Sequence, residues 1–415
     1  MTKSLLIKNI QSLLQIEQNP VKGKAMSVVP AINDAWLLVR DGVIHSYGEM
    51  KAGLPDVDNA EVKDATGKIV MPAFCDSHTH IVYAGSREGE FNDRLRGLTY
   101  QEIAARGGGI LNSAAKLREA SEELLLENAL RRIDEQISLG TGAIEIKSGY
   151  GLSLESELKM LRVIRKIKEI SPLTIKSTFL GAHAVPPEFK DKKDLYIAHI
   201  IDVMLPVIAD EGLADYCDVF CEQNYFTQEE TEKILRAALK YNIRPKVHAN
   251  QLSRSGGVQA GVAVNAVSVD HLEYLEEEEI NLLASSTVIP TLLPGAQFFL
   301  QLPQPPARTM IEKGLCVAVA SDYNPGSSPT GNMQLMMALC CVLYKMTPEE
   351  ALNAVTINSA AAMNVNDQLG SMAIGKKANI IITKPVPSLA YLPYSFGSNL
   401  VEEIIVDGVT LKKNN

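Results

Sequence analysis

Between residues 69 and 322, short apolar runs rich in β-branched residues alternate with longer stretches whose apolar residues recur every three or four positions. The first kind reads as a buried strand and the second as an amphipathic helix, so the alternation predicts repeated βα units around a parallel sheet. Eight strand-like runs occur, at 68–78, 142–148, 174–182, 216–222, 244–249, 266–271, 286–293 and 316–322. Eight parallel strands close a barrel. Between them, 113–139 holds apolar residues at helical spacing, and Ser153 precedes a helix ending before Ser171-Pro172. Residues 227–241 open with Thr227 and Glu230 in capping-box spacing, and 347–363 open with Thr347, Pro348 and Glu350 in the same arrangement.

The chain ends follow a different pattern. Residues 36–48 and 403–411 each set an Asp-Gly pair between strand-like residues, the signal of a tight hairpin. Neither end alone carries enough strands for a stable sheet. The predicted fold is therefore α/β, a TIM-like (β/α)8 barrel over residues 66–369 inserted in a small composite β-sandwich domain made from 1–65 and 370–415. The run Gly107-Gly108-Gly109 reads as a flexible loop suited to a lid. No repeat of 20–50 residues and no low-complexity tract interrupts this picture.

Composition narrows the function classes. With 415 residues, 46% of them hydrophobic and 21% charged, the chain has the balance of a globular protein with a large core. A net charge of −9 without a basic stripe argues against nucleic acid and anionic membranes as partners. No apolar stretch approaches the roughly 18 residues of a membrane span. Lys8, Asn9 and Gln11 interrupt the N-terminal apolar residues, unlike a signal peptide, so a cytoplasmic location is expected. Six cysteines without a CxxC pair read as reduced thiols.

Candidate chemistry gathers at the strand ends. Alternation along a strand puts His78 and His80 on one face, with Cβ atoms about 7 Å apart, close enough to share a metal. His183, His248 and His271 also fall at or just beyond predicted strand ends, whereas His45 and His199 do not. In an eight-stranded barrel those ends form the active face, so residues distant in sequence converge. Asp322 ends an apolar run, where a carboxylate is costly unless paired or metal-bound. Together His78, His80, His248 and Asp322 make a set able to hold one Zn(II) or Fe ion and a water. The fourth run ends in Cys221-Glu222-Gln223, with no lysine to bridge a second metal, so a mononuclear centre is favoured and Glu222 is the remaining bridging candidate. Arg87 follows the His-x-His strand closely, and its guanidinium suits a substrate carboxylate. His271 and His183 are the candidates for proton transfer, the former near the water and Asp322, the latter near the substrate carbonyl.

The segment VMPAFCDSHTH, the His248 strand, His271, Asp322, the split β domain and Gly370 to Ala378 together resemble the amidohydrolase superfamily. More narrowly, residues 78–91, the GGGI loop, 145–152, 179–188, 248–257, 269–274 and 321–329 resemble the imidazolonepropionase family. That resemblance implies a homodimer that takes a small-molecule substrate, 4-imidazolone-5-propanoate, and opens its cyclic amide to N-formimidoyl-L-glutamate in histidine degradation. It also carries over Tyr150, Asn324, Gly326 and Ser327 as substrate contacts beside Arg87 and His183. Gln251 stands where deaminases of the superfamily have a proton-shuttling Glu; an amide has no titrating proton, so Gln251 is read as orienting the substrate. A deaminase is the nearest rival and a non-catalytic binding barrel the more distant one, the intact ligand set arguing against the latter. Asn250 and Asn379 stand where the family more often has Asp.

Overall fold

The computed structural model describes residues 4–98, 102, 106 and 108–414. Gly107 of the triglycine run lies outside them; Gly109, at φ 86°, begins the helix Ile110–Glu119. Eight parallel strands form one sheet in sequence order: Phe74–Thr79, Thr141–Lys147, Thr174–Ala182, Tyr216–Cys221, Arg244–Ala249, Ser268–His271, Ile289–Leu292 and Ala318–Val319. The eighth closes onto the first through Asp322 N to His78 O (3.0 Å) and His80 N to Tyr323 O (2.9 Å). These closing bonds fall on the residues that carry the candidate chemistry, so barrel closure and site assembly are one event in space.

The run 68–78 divides at Ala73. Ile69–Pro72 pairs with the terminal strands Ser4–Leu14 and Ile380–Thr383, and only Phe74–Thr79 enters the barrel. The terminal sheet is mixed and eight-stranded, drawn from both chain ends, and its buried face includes Ile7, Ile10, Leu37, Val70, Ile380 and Ile405. Both Asp-Gly hairpins form, with φ positive at Asp41 and Gly42 and at Asp407 and Gly408, as a type I′ turn requires. The two turns abut: a Cβ on Gly42 would lie 2.7 Å from Asp407 O, so no larger residue fits there.

Two predicted helices are broken in fact. The stretch 113–139 lies across Ile110–Glu119 and Glu122–Ser138, because the Ser121 side chain accepts from Leu124 N (3.2 Å) and starts a new helix. Helical spacing continues across the break, which is why periodicity alone runs through it. Ser121→Ala is expected to lower stability by about 1 kcal/mol, measured by denaturant unfolding, as for other caps. The stretch 347–363 divides at Thr356 into Pro348–Val355 and Ile357–Ala362. The second piece turns to reach the eighth strand, where Asn358 Nδ2 donates to Val317 O and Ser359 Oγ to Val319 O. The helices Leu154–Ile170 and Gln228–Leu239 start at the predicted caps, Ser153 and the Thr227–Glu230 capping box.

Candidate metal centre and substrate pocket

The strand pleat turns His78 and His80 into the barrel, where their Nε2 atoms approach to 3.2 Å. Asp322 Oδ1 lies 3.5 Å from His78 Nε2 and 3.6 Å from His80 Nε2. His78, His248 and His271 form a second group whose donor atoms all lie within 4.8 Å, so His78 is common to both. The sixth-strand histidine therefore stands close enough to the centre for either a ligand or a proton-handling role. Burial holds His78 and His80 well below the ordinary imidazole value, helped by the Lys147 charge for His78 and by His248 for His80. Neutral imidazoles crowded with a carboxylate leave inward lone pairs that oppose one another unless a proton or cation is shared.

The outer nitrogens settle which lone pairs face inward. His78 Nδ1 lies 2.7 Å from Asp270 Oδ2, and an N–H donated there leaves Nε2 as the free acceptor. His248 Nδ1 lies 2.9 Å from Asp218 Oδ2, though off the ideal hydrogen-bond line, and among the described residues His248 Nε2 has no hydrogen-bond partner. A buried cluster of three imidazoles and one carboxylate, with an unpartnered ring nitrogen turned inward, fits a divalent cation of the Zn or Fe type. Glu222 does not join it: Leu252 N donates to one oxygen (2.8 Å) and Gln223 N and Ser253 Oγ to the other. The carboxylate is spent on shaping the loop after the fifth strand, so the sequence-based candidate for a second-metal bridge is turned away from the donors.

Above the cluster is a cavity of ≈ 420 Å³. It is lined by every sequence-predicted site residue except His78, which lies beneath: His80, Arg87, Tyr150, His183, His248, Gln251, His271, Asp322, Asn324, Gly326 and Ser327. His183 Nδ1 is 3.0 Å from Gly149 O, so Nδ1 is the protonated nitrogen and Nε2 is left as an acceptor; burial pulls its pKa down to about 3. His271 is pulled down to about 4 by burial, with Asp322 opposing, and its Nδ1 stands 3.5 Å from Glu273 Oε1. Burial pushes Asp322 upward, against His271.

The loop after the eighth strand is built on Asn324, whose Oδ1 accepts from Gly326 N and Ser327 N (both 2.8 Å) and whose amide donates to Asp322 O (2.6 Å). Ser327 Oγ donates to Asp322 Oδ2 at 3.0 Å. Ser327 thus holds the Asp322 carboxylate and Asn324 its backbone carbonyl, and both side chains also line the cavity. Gly326 leaves room for Arg87, since a Cβ there would collide with Nη1. Arg87 Nη2 pairs with Glu90 at 2.6 Å, and Arg94, about two helical turns further along the same side, donates to Gly326 O at 3.3 Å.

The amidohydrolase sequence profile matches residues 69–411, which is most of the chain. The chain belongs to the amidohydrolase family, among the imidazolonepropionases. An imidazolonepropionase of Flavobacterium johnsoniae is 54% identical over 97% of this chain and 98% of its own length. That of Thermoanaerobacter pseudethanolicus is 42% identical over 98% and 97%. Among solved structures, E. coli guanine deaminase aligns with a TM-score of 0.75 at 14% identity over the whole of both chains. A Xanthomonas campestris adenosine deaminase with bound zinc aligns at 0.73 and 16%, covering 98% of this chain and 92% of its own. At such identities these two show the shared amidohydrolase fold alone. Among the described residues no helix is long and apolar enough to cross a membrane.

Several groups of this amidohydrolase site escape motif reading: Asp218, Asp270, Glu145, Lys147 and Glu273 are all buried. The first four stand inside apolar strands, the same signal that singles out Asp322. Asn250 takes a positive φ of 56° and donates to Glu279 Oε1 (2.8 Å) and Tyr274 O (2.9 Å). An aspartate there would set two carboxylates against each other, so the amide suits this chain. Asn379 ties the terminal sheet to the barrel, accepting from Asp407 N (3.0 Å) and donating to Gly142 O (3.2 Å).

Proposed function

We propose that the protein hydrolyses 4-imidazolone-5-propanoate to N-formimidoyl-L-glutamate, using one metal ion held by His78, His80, His248 and Asp322. The carrying observation is a single cavity with a guanidinium on one wall and a buried three-histidine, one-aspartate cluster at its floor. A substrate with a carboxylate at one end and a ring amide at the other matches that polarity. The ion, when bound, supplies Lewis acidity that makes water a nucleophile near neutral pH.

The chain's own residues do the rest. Arg87 takes the propionate, with Glu90 fixing the guanidinium so that little side-chain entropy is lost on binding. Tyr150 and His183, with ring centroids 5.6 Å apart, shape one wall against the imidazolone ring. Gln251 orients the ring through its amide, which can donate and accept but not titrate. His271 takes the proton of the attacking water, and the proton is returned to the ring nitrogen as its bond to the carbonyl carbon breaks. Water is consumed, one C–N bond is cleaved, and the former carbonyl carbon becomes a carboxylate. The chain is expected to act as a homodimer in the cytoplasm, with domains divided at 1–65 plus 370–415 and 66–369.

The test is turnover of imidazolonepropionate beside a panel of cyclic amides and aminated heterocycles. Activity confined to an aminated ring, with ammonia released, would replace this reading by a deaminase. Arg87→Ala is expected to lower kcat/KM about 100-fold, mostly through KM, because a charge-assisted pair is lost and Glu90 is left to repel the propionate. Unchanged kinetic constants in that variant would remove Arg87 from substrate binding.

A further inference from the structure

Beneath the donor cluster lies a layer of charge that the reaction does not touch. Lys147, Asp218 and Asp270 come from the second, fourth and sixth barrel strands, and all three side chains are fully buried. Alternate strands feed one layer of a barrel interior, which is why these three meet although 71 and 52 residues apart in turn. Lys147 Nζ stands 2.7 Å from Asp218 Oδ2 and 3.7 Å from Asp270 Oδ2. Those are the same two oxygens that face the Nδ1 atoms of His248 and His78. One ammonium therefore touches the outer partners of two candidate metal ligands on opposite sides of the barrel.

We propose that Lys147 is a positioning residue that holds Asp218 and Asp270 in place and so sets the tautomer of both histidines with Nε2 turned to the metal. The inference rests on the metal reading above and adds to it a residue that contacts neither metal nor substrate. Two buried carboxylates facing one barrel axis repel each other and pay heavily for lost hydration unless a cation lies between them. Burial alone would favour neutral lysine, but Asp218, Glu145 and Asp270 outweigh it and keep the ammonium charged. Without Lys147 the two carboxylates face each other with no cation between them and are free to turn away from their histidines. A ring that loses its Nδ1 acceptor is free to carry its hydrogen on Nε2 instead, which blocks the metal-binding lone pair.

Lys246 offers an internal control. It is an equally buried lysine in the same interior, pairing with Glu145, which Lys147 also meets at 2.7 Å, and donating to Ser77 O at 3.3 Å; among the described residues it makes no ion pair with Asp218 or Asp270. The experiment compares the full-length chain with Lys147→Met and Lys246→Met, each checked for native circular dichroism. Zn(II) affinity is read by competition with a chromophoric chelator, and histidine tautomers in the metal-depleted chain by long-range 1H–15N correlation. Lys147→Met is expected to weaken Zn(II) binding about 10- to 100-fold and to shift two histidines away from the Nδ1–H form. Lys246→Met is expected to stay within about threefold, with tautomers unchanged, in keeping with a change outside the ligand-supporting pairs. Should Lys147→Met not fold, Lys147→Gln, which keeps N–H donors without the charge, carries the same expectation. Equal losses in the Lys147 and Lys246 variants, or retained affinity and tautomers without the Lys147 charge, would overturn the proposal. A chain that takes up no Zn(II) before substitution would count against the metal reading, while the tautomer spectra would still judge Lys147.

Discussion

Replacing Asp322 with Asn is expected to cost the protein its metal and its turnover together. Asp322 supplies the only carboxylate of the two donor groups, 3.5 and 3.6 Å from two imidazole nitrogens that otherwise face one another. An amide oxygen at that position carries no net charge to offset the desolvation of a buried dication. Asn is the better test than Ala because residue 322 has φ 54°, a left-handed conformation that Asp and Asn tolerate and Ala resists. The substitution also keeps the volume and lets Ser327 and Asn324 retain their loop. Metal content after expression in supplemented medium should fall below about one-tenth equivalent, and kcat by more than about 100-fold, beyond what loss of an outer-shell partner causes. A full equivalent of tightly held metal in Asp322→Asn would show that the fourth ligand lies elsewhere, with His271 the nearest replacement.

The barrel was legible because each strand is a short apolar run and several helices open on a readable cap, so local chemistry and global topology agree at Ser153, Thr227 and Thr347. What failed was continuity. At Ala73 one apolar run serves two sheets, and at Ser121 and Thr356 one helical period spans two helices, because hydrophobic spacing reports burial and not the direction of the chain. The donor residues were readable from their strand-end positions. Their supports were not, since Asp218 and Asp270 acquire meaning only when another strand, the next one for Asp218 and the first for Asp270, brings a histidine alongside. Glu222 shows the converse: its position at a strand end suggests a ligand, and only the loop hydrogens it accepts reveal the other use. Asn324 and Ser327 likewise read as substrate contacts, while their hydrogen bonds add the holding of Asp322.

His271→Asn is expected to separate proton transfer from metal binding. The imidazole stands within 4.8 Å of His78 and His248 donor atoms, so geometry alone allows it to be either a ligand or the group that accepts the proton of the attacking water. Its surroundings favour the second role. Nδ1 is turned toward Glu273 Oε1 at 3.5 Å, and among the described residues neither that nitrogen nor either Glu273 oxygen has a hydrogen-bond partner. A carboxyl behind the ring can steady the imidazolium formed when the opposite nitrogen takes a proton, a demand that arises during the reaction and not in the resting site. The backbone is also committed to this placement: His271 and Leu272 have φ of 88° and 71°, and Leu272 N donates to Ala249 O at 3.0 Å, tying the sixth strand end to the fifth. Such consecutive positive φ values cost of order 1–3 kcal/mol each and persist where surrounding contacts enforce them. Asn is chosen because it tolerates that conformation and presents polar atoms of similar reach, yet cannot take up a proton. The expected result is near-full metal content, little change in KM, and kcat lowered by about 100- to 10,000-fold, the range supplied by a general acid–base group. The dependence of kcat on pH should flatten where the ring had titrated. Loss of metal in step with activity would make His271 a ligand, and near-normal turnover with an unaltered pH profile would move proton transfer to Asp322 or to His183 across the cavity.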